Sequence, residues 1–84
     1  MDATGAGWRD EDAALVRDVR FADFPAAIAF VNRVAVVAED AGHHPYILIH
    51  GWNNVRLPLS THSAGAVTDA DHALAGRIDA LLGD

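Results

Sequence analysis

Residues 23–42 read DFPAAIAFVNRVAVVAEDAG, and this stretch decides the fold class. Asp23 can accept from the orphan N–H groups of a first helical turn, and Pro25 falls where no amide donor is needed. Phe24, Ala27, Ile28, Val31, Ala35 and Ala38 recur at steps of three and four, which predicts one apolar stripe along a helix. Gly42 tolerates the left-handed conformation that ends such a helix. The next three residues, His43-His44-Pro45, therefore start directly from a helix C-terminus.

Upstream, LVRDVRF (15–21) sets Leu15, Val19 and Phe21 on a two-residue period, as in a strand with one buried face. Arg17 is the discordant member of that face. Residues 1–11, polar and acidic apart from Trp8, are expected to be a flexible lead, leaving residues 12–84 as one domain. Downstream, residues 46–50 read as a strand with Ile47 and Ile49 on one face. Residues 55–61 read as another, with Val55, Leu57, Leu59 and Thr61 aligned. Residues 51–54, Gly-Trp-Asn-Asn, form the hairpin connection between them. Pro58 cannot donate to a ladder, so an edge or a bulge is expected there. The other face runs Arg56, Pro58, Ser60, His62, so His62 leaves the strand on its non-core side. Thr68 and Asp71 take the N-cap and N3 places of a capping box, and Leu74, Ile78, Leu81 and Leu82 line one face of a last helix. The order β-α-β-β-α predicts an α+β domain: an antiparallel sheet with two helices packed on one face.

The totals narrow the function. A chain of 84 residues holds one core. At that size roughly 60% of the unfolded surface is buried, so association into a homo-oligomer is expected. Twelve acidic residues against six arginines and no lysine give a net charge of −6, which disfavours direct binding to nucleic acid or an anionic membrane. Cysteine is absent, which rules out disulfides and thiolate metal sites. The start resembles no signal peptide, and a cytoplasmic protein is expected.

Five histidines remain to be explained. His50 and His72 have no neighbours that suggest chemistry. For His43, His44 and His62 three readings stay open on spacing alone: solvated loop residues, a metal site, or general acid–base catalysis. Zinc needs three or four converging ligands, and adjacent histidines diverge in both helix and strand. Acid–base work suits imidazole better, because near neutral pH one copy can hold a proton while another accepts one. Pro45 stiffens the turn that carries the pair.

At this point the residues resemble a family. AEDAGHHP (38–45), a hairpin, VRLPLSTHSAGAVTDAD (55–71) and LAGRIDALL (74–82) together look like pterin-4a-carbinolamine dehydratase, and the similarity runs from Trp8 almost to the end. The resemblance implies a sheet extended across a dimer, and often a tetramer. It implies loss of water from a 4a-hydroxytetrahydropterin to give the quinonoid dihydropterin, in the recycling of tetrahydrobiopterin, with no metal or organic cofactor. By the same resemblance His43 and His62 are the acid–base histidines, and His44 is a catalytic candidate beside them that helps hold the pterin. Glu39, Ser60, Thr61 and Asp71 join His44 as substrate-binding candidates. Gly42, Tyr46, Gly51 and Pro58 depart from the usual pattern. The same resemblance carries an alternative: a non-catalytic partner in protein assembly or dimerisation.

Overall fold

The computed structural model describes residues 7–83. Its elements are β1 (Arg9–Glu11), β2 (Ala14–Arg20), α1 (Phe24–Ala41), β3 (Leu48–His50), β4 (Asn54–Leu59) and α2 (Asp69–Leu81). The strands make one antiparallel sheet in the order β1-β2-β4-β3, so the late strand β4 sits centrally against β2. Leu15 and Val19 of β2 and Val55, Leu57 and Leu59 of β4 turn to one side. There they form the core with Ala27, Phe30, Val34 and Ala38 of α1 and Leu74, Ala75 and Ile78 of α2. Both helices thus cover the same face, as the α+β reading expects.

The sequence-based lead divides. Residues 1–6 lie outside the described residues, whereas Arg9–Glu11 pair with β2 as an additional strand. The connection is two residues, Asp12 and Ala13, both left-handed (φ 49° and 62°), as a primed hairpin turn requires. Alanine seldom takes that conformation, so no Asn-Gly or Asp-Gly pair announces the hairpin. Trp8 packs against the core, and its indole N–H donates to Asp79 at 2.8 Å.

Arg17 is buried on the core side and donates through Nη1 to Asp79 Oδ1 at 2.5 Å, the same oxygen that Trp8 reaches. A guanidinium in this position is tolerable because a carboxylate meets it. In α1 the expected stripe is rotated: Phe24 is half exposed and Ala35 exposed, while Phe30 and Val34 are buried. Alanines steer a helix weakly, whereas the Phe30 ring packs 5.0 Å from the ring of Phe21 and draws its own side inward.

Pro58 lies in β4, an interior strand, yet at a local edge. The β3 pairing ends at Arg56, and beyond it the Pro58 carbonyl accepts the Tyr46 N–H at 3.0 Å. The side on which Pro58 lacks a donor therefore has no ladder to serve. For the same reason the strand expected at 46–50 shortens to Leu48–His50. On the open face of the sheet, Arg9 and Arg56 alternate with Glu11 and Asp18 in one ionic network, with Arg9 to Asp18 and Arg56 to Glu11 at 2.6 Å each. Side-chain hydrogen bonds from Arg9 lower the Glu11 pKa below the usual carboxylate value.

Candidate active site

The end of α1 fixes the first histidine. Gly42 is left-handed (φ 64°) and its N–H reaches the Glu39 carbonyl at 3.1 Å, while the His43 N–H reaches the Ala38 carbonyl at 3.1 Å. These two bonds are the Schellman pattern, so the backbone of His43 belongs to the helix terminus itself. Pro45 then turns the chain away, and the Tyr46–Pro58 bond ties it to the end of β4.

The second histidine comes from the far end of β4. Thr61 bridges to Ala66, its carbonyl accepts the amides of Ala64 and Gly65, and Gly65 is left-handed (φ 62°). This tight loop puts the exposed His62 beside the HHP turn. A cleft of about 440 Å³ lies between, lined by Gly42, His43, His44, Pro45, Tyr46, Ser60 and His62.

Behind the cleft, α2 supplies Asp71 from its first turn, with no exposed surface. Its Oδ1 lies 2.5 Å from His43 Nε2, and its Oδ2 accepts the Thr61 hydroxyl at 2.8 Å and the Thr68 N–H at 2.9 Å. Burial alone would raise the pKa of this carboxyl. The hydrogen bonds from His43, the Thr68 amide and Thr61 outweigh burial and hold it below the usual carboxylate range. An ionised carboxylate only accepts, so Nε2 of His43 carries a hydrogen and Nδ1 is the nitrogen with a lone pair in the neutral ring.

Of the residues expected from the sequence, His43, His44, Ser60 and His62 are brought together at the cleft. Glu39 stands outside it, exposed, and binds His44 Nε2 at 2.8 Å. Asp71 and Thr61 do not line it: Asp71 is sealed beneath a His43 side chain that is itself 17% exposed, and the Thr61 hydroxyl is turned to Asp71 and Thr68. Asp71 therefore reaches the cleft only through its bond to His43. The cleft also includes Tyr46, which the strand pattern assigns to the sheet. Among the described residues no group of three or more His, Asp or Glu side chains is arranged to hold a metal ion.

A sequence model of the pterin 4 alpha carbinolamine dehydratase family matches residues 1–81. The chain belongs to that family. A protein of Chloroflexus aurantiacus, provisionally named pterin-4-alpha-carbinolamine dehydratase, is 55% identical over 76 residues, covering 90% of this chain and 81% of the relative. A relative in Acidobacterium capsulatum with the same provisional name is 53% identical over 75 residues, covering 89% and 80%. Among solved structures, a protein from Brucella melitensis described as a transcriptional coactivator/pterin dehydratase superimposes with a TM-score of 0.82 at 35% identity, covering 90% of this chain and 82% of that one. A pterin dehydratase-like protein described as a RuBisCO assembly factor in the alpha-carboxysome gives 0.76 at 28% identity, covering 93% and 92%. Among the described residues no helix is long and apolar enough to cross a membrane.

Proposed function

We propose that the protein dehydrates a 4a-hydroxytetrahydropterin to the quinonoid dihydropterin in the cytoplasm. The observation that carries this reading is that His43 and His62, 19 positions apart in the sequence, line one cleft while a buried carboxylate grips the first of them. The reaction breaks the C4a–O bond and removes the proton on N5, so it needs an acid at the departing hydroxyl and a base at the nitrogen. His43 takes the N5 proton on Nδ1, and Asp71 stabilises the imidazolium that results. His62 gives a proton to the hydroxyl, which leaves as water, and being exposed it can regain that proton from solvent. His44, tethered by Glu39, and Tyr46 flank the bound ring.

The test is the decay of synthetic 4a-hydroxytetrahydropterin followed by stopped-flow absorbance. His43→Ala and His62→Ala should each slow it at least about tenfold, less than the roughly 10²–10⁴-fold that one placed proton transfer contributes, because water takes over part of the role. Retention of wild-type rates in both variants would refute the assignment.

A second reading is favoured by a separate feature. β3 is the outer strand of the sheet, three residues long; its Leu48 and the flanking Tyr46 and Trp52 are 51%, 65% and 62% exposed. Unpaired edges with apolar neighbours recruit further strands. This supports a sheet continued across a two-fold into a second copy, as a dimer or part of a tetramer, or a role in holding a partner protein. A stoichiometric protein partner, captured by a chain inert towards the pterin, would favour assembly over catalysis.

A further inference from the structure

The hydroxyls behind the histidine have a forced direction. Thr61 Oγ1 lies 2.8 Å from Asp71 Oδ2 and 2.5 Å from Thr68 Oγ1. A threonine hydroxyl has one hydrogen, and an ionised carboxylate cannot donate. Thr61 therefore gives its hydrogen to Asp71 and must accept that of Thr68. The chain of donors runs from Thr68 to Thr61 to Asp71, and Asp71 meets the ring hydrogen of His43 with its other oxygen. Thr61 is also the residue immediately before His62, and its backbone N–H and carbonyl close the loop that carries His62. One side chain thus stands between the two histidines.

We propose that Thr61 is a positioning residue: its hydroxyl, directed by Thr68, locks the Asp71 carboxylate so that neutral His43 keeps its hydrogen on Nε2 and leaves Nδ1 free for proton exchange. The kinetic part of this assignment rests on the dehydratase reading; the placement of the hydrogen does not. Thr61→Val removes the hydroxyl at nearly constant volume, and Thr61→Ser restores it.

Two readouts separate positioning from mere stabilisation. In ¹⁵N-labelled protein, the ring nitrogens of neutral His43 should show a pyrrole-type Nε2 and a pyridine-type Nδ1. Thr61→Val should shift both towards the average of a mixed tautomer population, and Thr61→Ser should bring them back. In turnover of 4a-hydroxytetrahydropterin, Thr61→Val should lower kcat about tenfold with KM little changed, because one hydrogen bond to a charged group orders the carboxylate. Should Thr61→Val not fold, Thr68→Val removes the first hydroxyl of the chain and should displace the nitrogen signals in the same direction. Wild-type nitrogen signals and kcat in the hydroxyl-deficient variant would overturn the proposal, as would a wild-type ring carrying its hydrogen on Nδ1. A wild-type protein with no turnover at all would defeat the dehydratase reading, while the nitrogen signals would still decide the role of Thr61.

Discussion

Replacing Asp71 by asparagine exchanges one oxygen for an NH2 group and inverts a proton arrangement. The oxygen of the new side-chain amide would be claimed by the position of Oδ2, where two donors converge, the Thr61 hydroxyl at 2.8 Å and the Thr68 amide at 2.9 Å. The amide NH2 then occupies the place of Oδ1 and points a hydrogen at His43 Nε2, which in the wild type sits 2.5 Å from an acceptor. To avoid facing donor with donor, His43 must move its own hydrogen to Nδ1, the nitrogen that the proposed reaction uses as base. A charge-assisted bond of about 1.5–3 kcal/mol is lost with it. The expected fall in kcat is about a hundredfold or more, since even a wrong histidine tautomer with correct geometry costs about 10⁴ in a serine-protease triad. KM should change little, because Asp71 has no surface in the cleft.

The same substitution weakens three hydrogen bonds at the start of α2, a loss of about 2 kcal/mol in a domain whose margin is only about 5–15 kcal/mol. That corresponds to a drop in Tm of about 8–16 °C for a chain of this size. The pH dependence has a definite sign. Asp71 is depressed in the folded state, so its stabilisation is fully present above the unfolded value of about 4 and disappears as pH falls through the folded value. Urea unfolding of wild type and Asp71→Asn should therefore differ at neutral pH and converge in acid. A stability gap that stays constant into acid, or a wild-type kcat in the variant, would refute the buried-carboxylate account.

Two further perturbations test the frame around the site. Gly42→Ala puts a Cβ on a residue at φ 64° with no atom within 4 Å, so the cost is backbone strain alone, about 1 kcal/mol or 4–8 °C in Tm by thermal melting. Because the Schellman bonds place His43, kcat should fall as well; unchanged kcat would mean that the turn re-forms without the glycine. Trp8→Phe keeps the ring in the core but removes the indole donor to Asp79, about 1 kcal/mol by urea unfolding. No loss in that variant would mean that Asp79 is satisfied by Arg17 alone.

What the sequence disclosed was whatever is encoded locally. Asp23 and Gly42 cap α1 as expected, Val55, Leu57 and Leu59 are buried on one face, and Thr68 and Asp71 form the capping box. The hairpin through Asp12 and Ala13 was hidden because its turn uses residues that rarely take positive φ. The burial of Arg17 was hidden for another reason: its carboxylate partner is 62 positions away. The site divides in the same way. The HHP turn and His62 stand out as residue types, but a capping aspartate looks alike whether or not a histidine 28 positions earlier comes to rest against it. Only the packing of α1 against α2 makes that contact, and no periodicity records it.

The contact has an electrostatic logic set by which helix ends meet. Asp71 lies in the first turn of α2, where the amide dipoles favour a negative group, and His43 lies just past the last turn of α1, where the carbonyls favour a positive one. The last turn of α1 contains no basic residue of its own; Glu39 there is tied to His44, and Asp40 to Arg77 of α2 at 3.0 Å. The His43 ring thus meets the buried carboxylate where the C-terminus of α1 faces the N-terminus of α2. Each helix end contributes about 0.3–1 kcal/mol to a charge of the sign it favours. The two helices need not move to accommodate it, because the caps that end one and begin the other have already oriented the dipoles. In this fold the devices that terminate the helices also set the direction in which the site can take up charge.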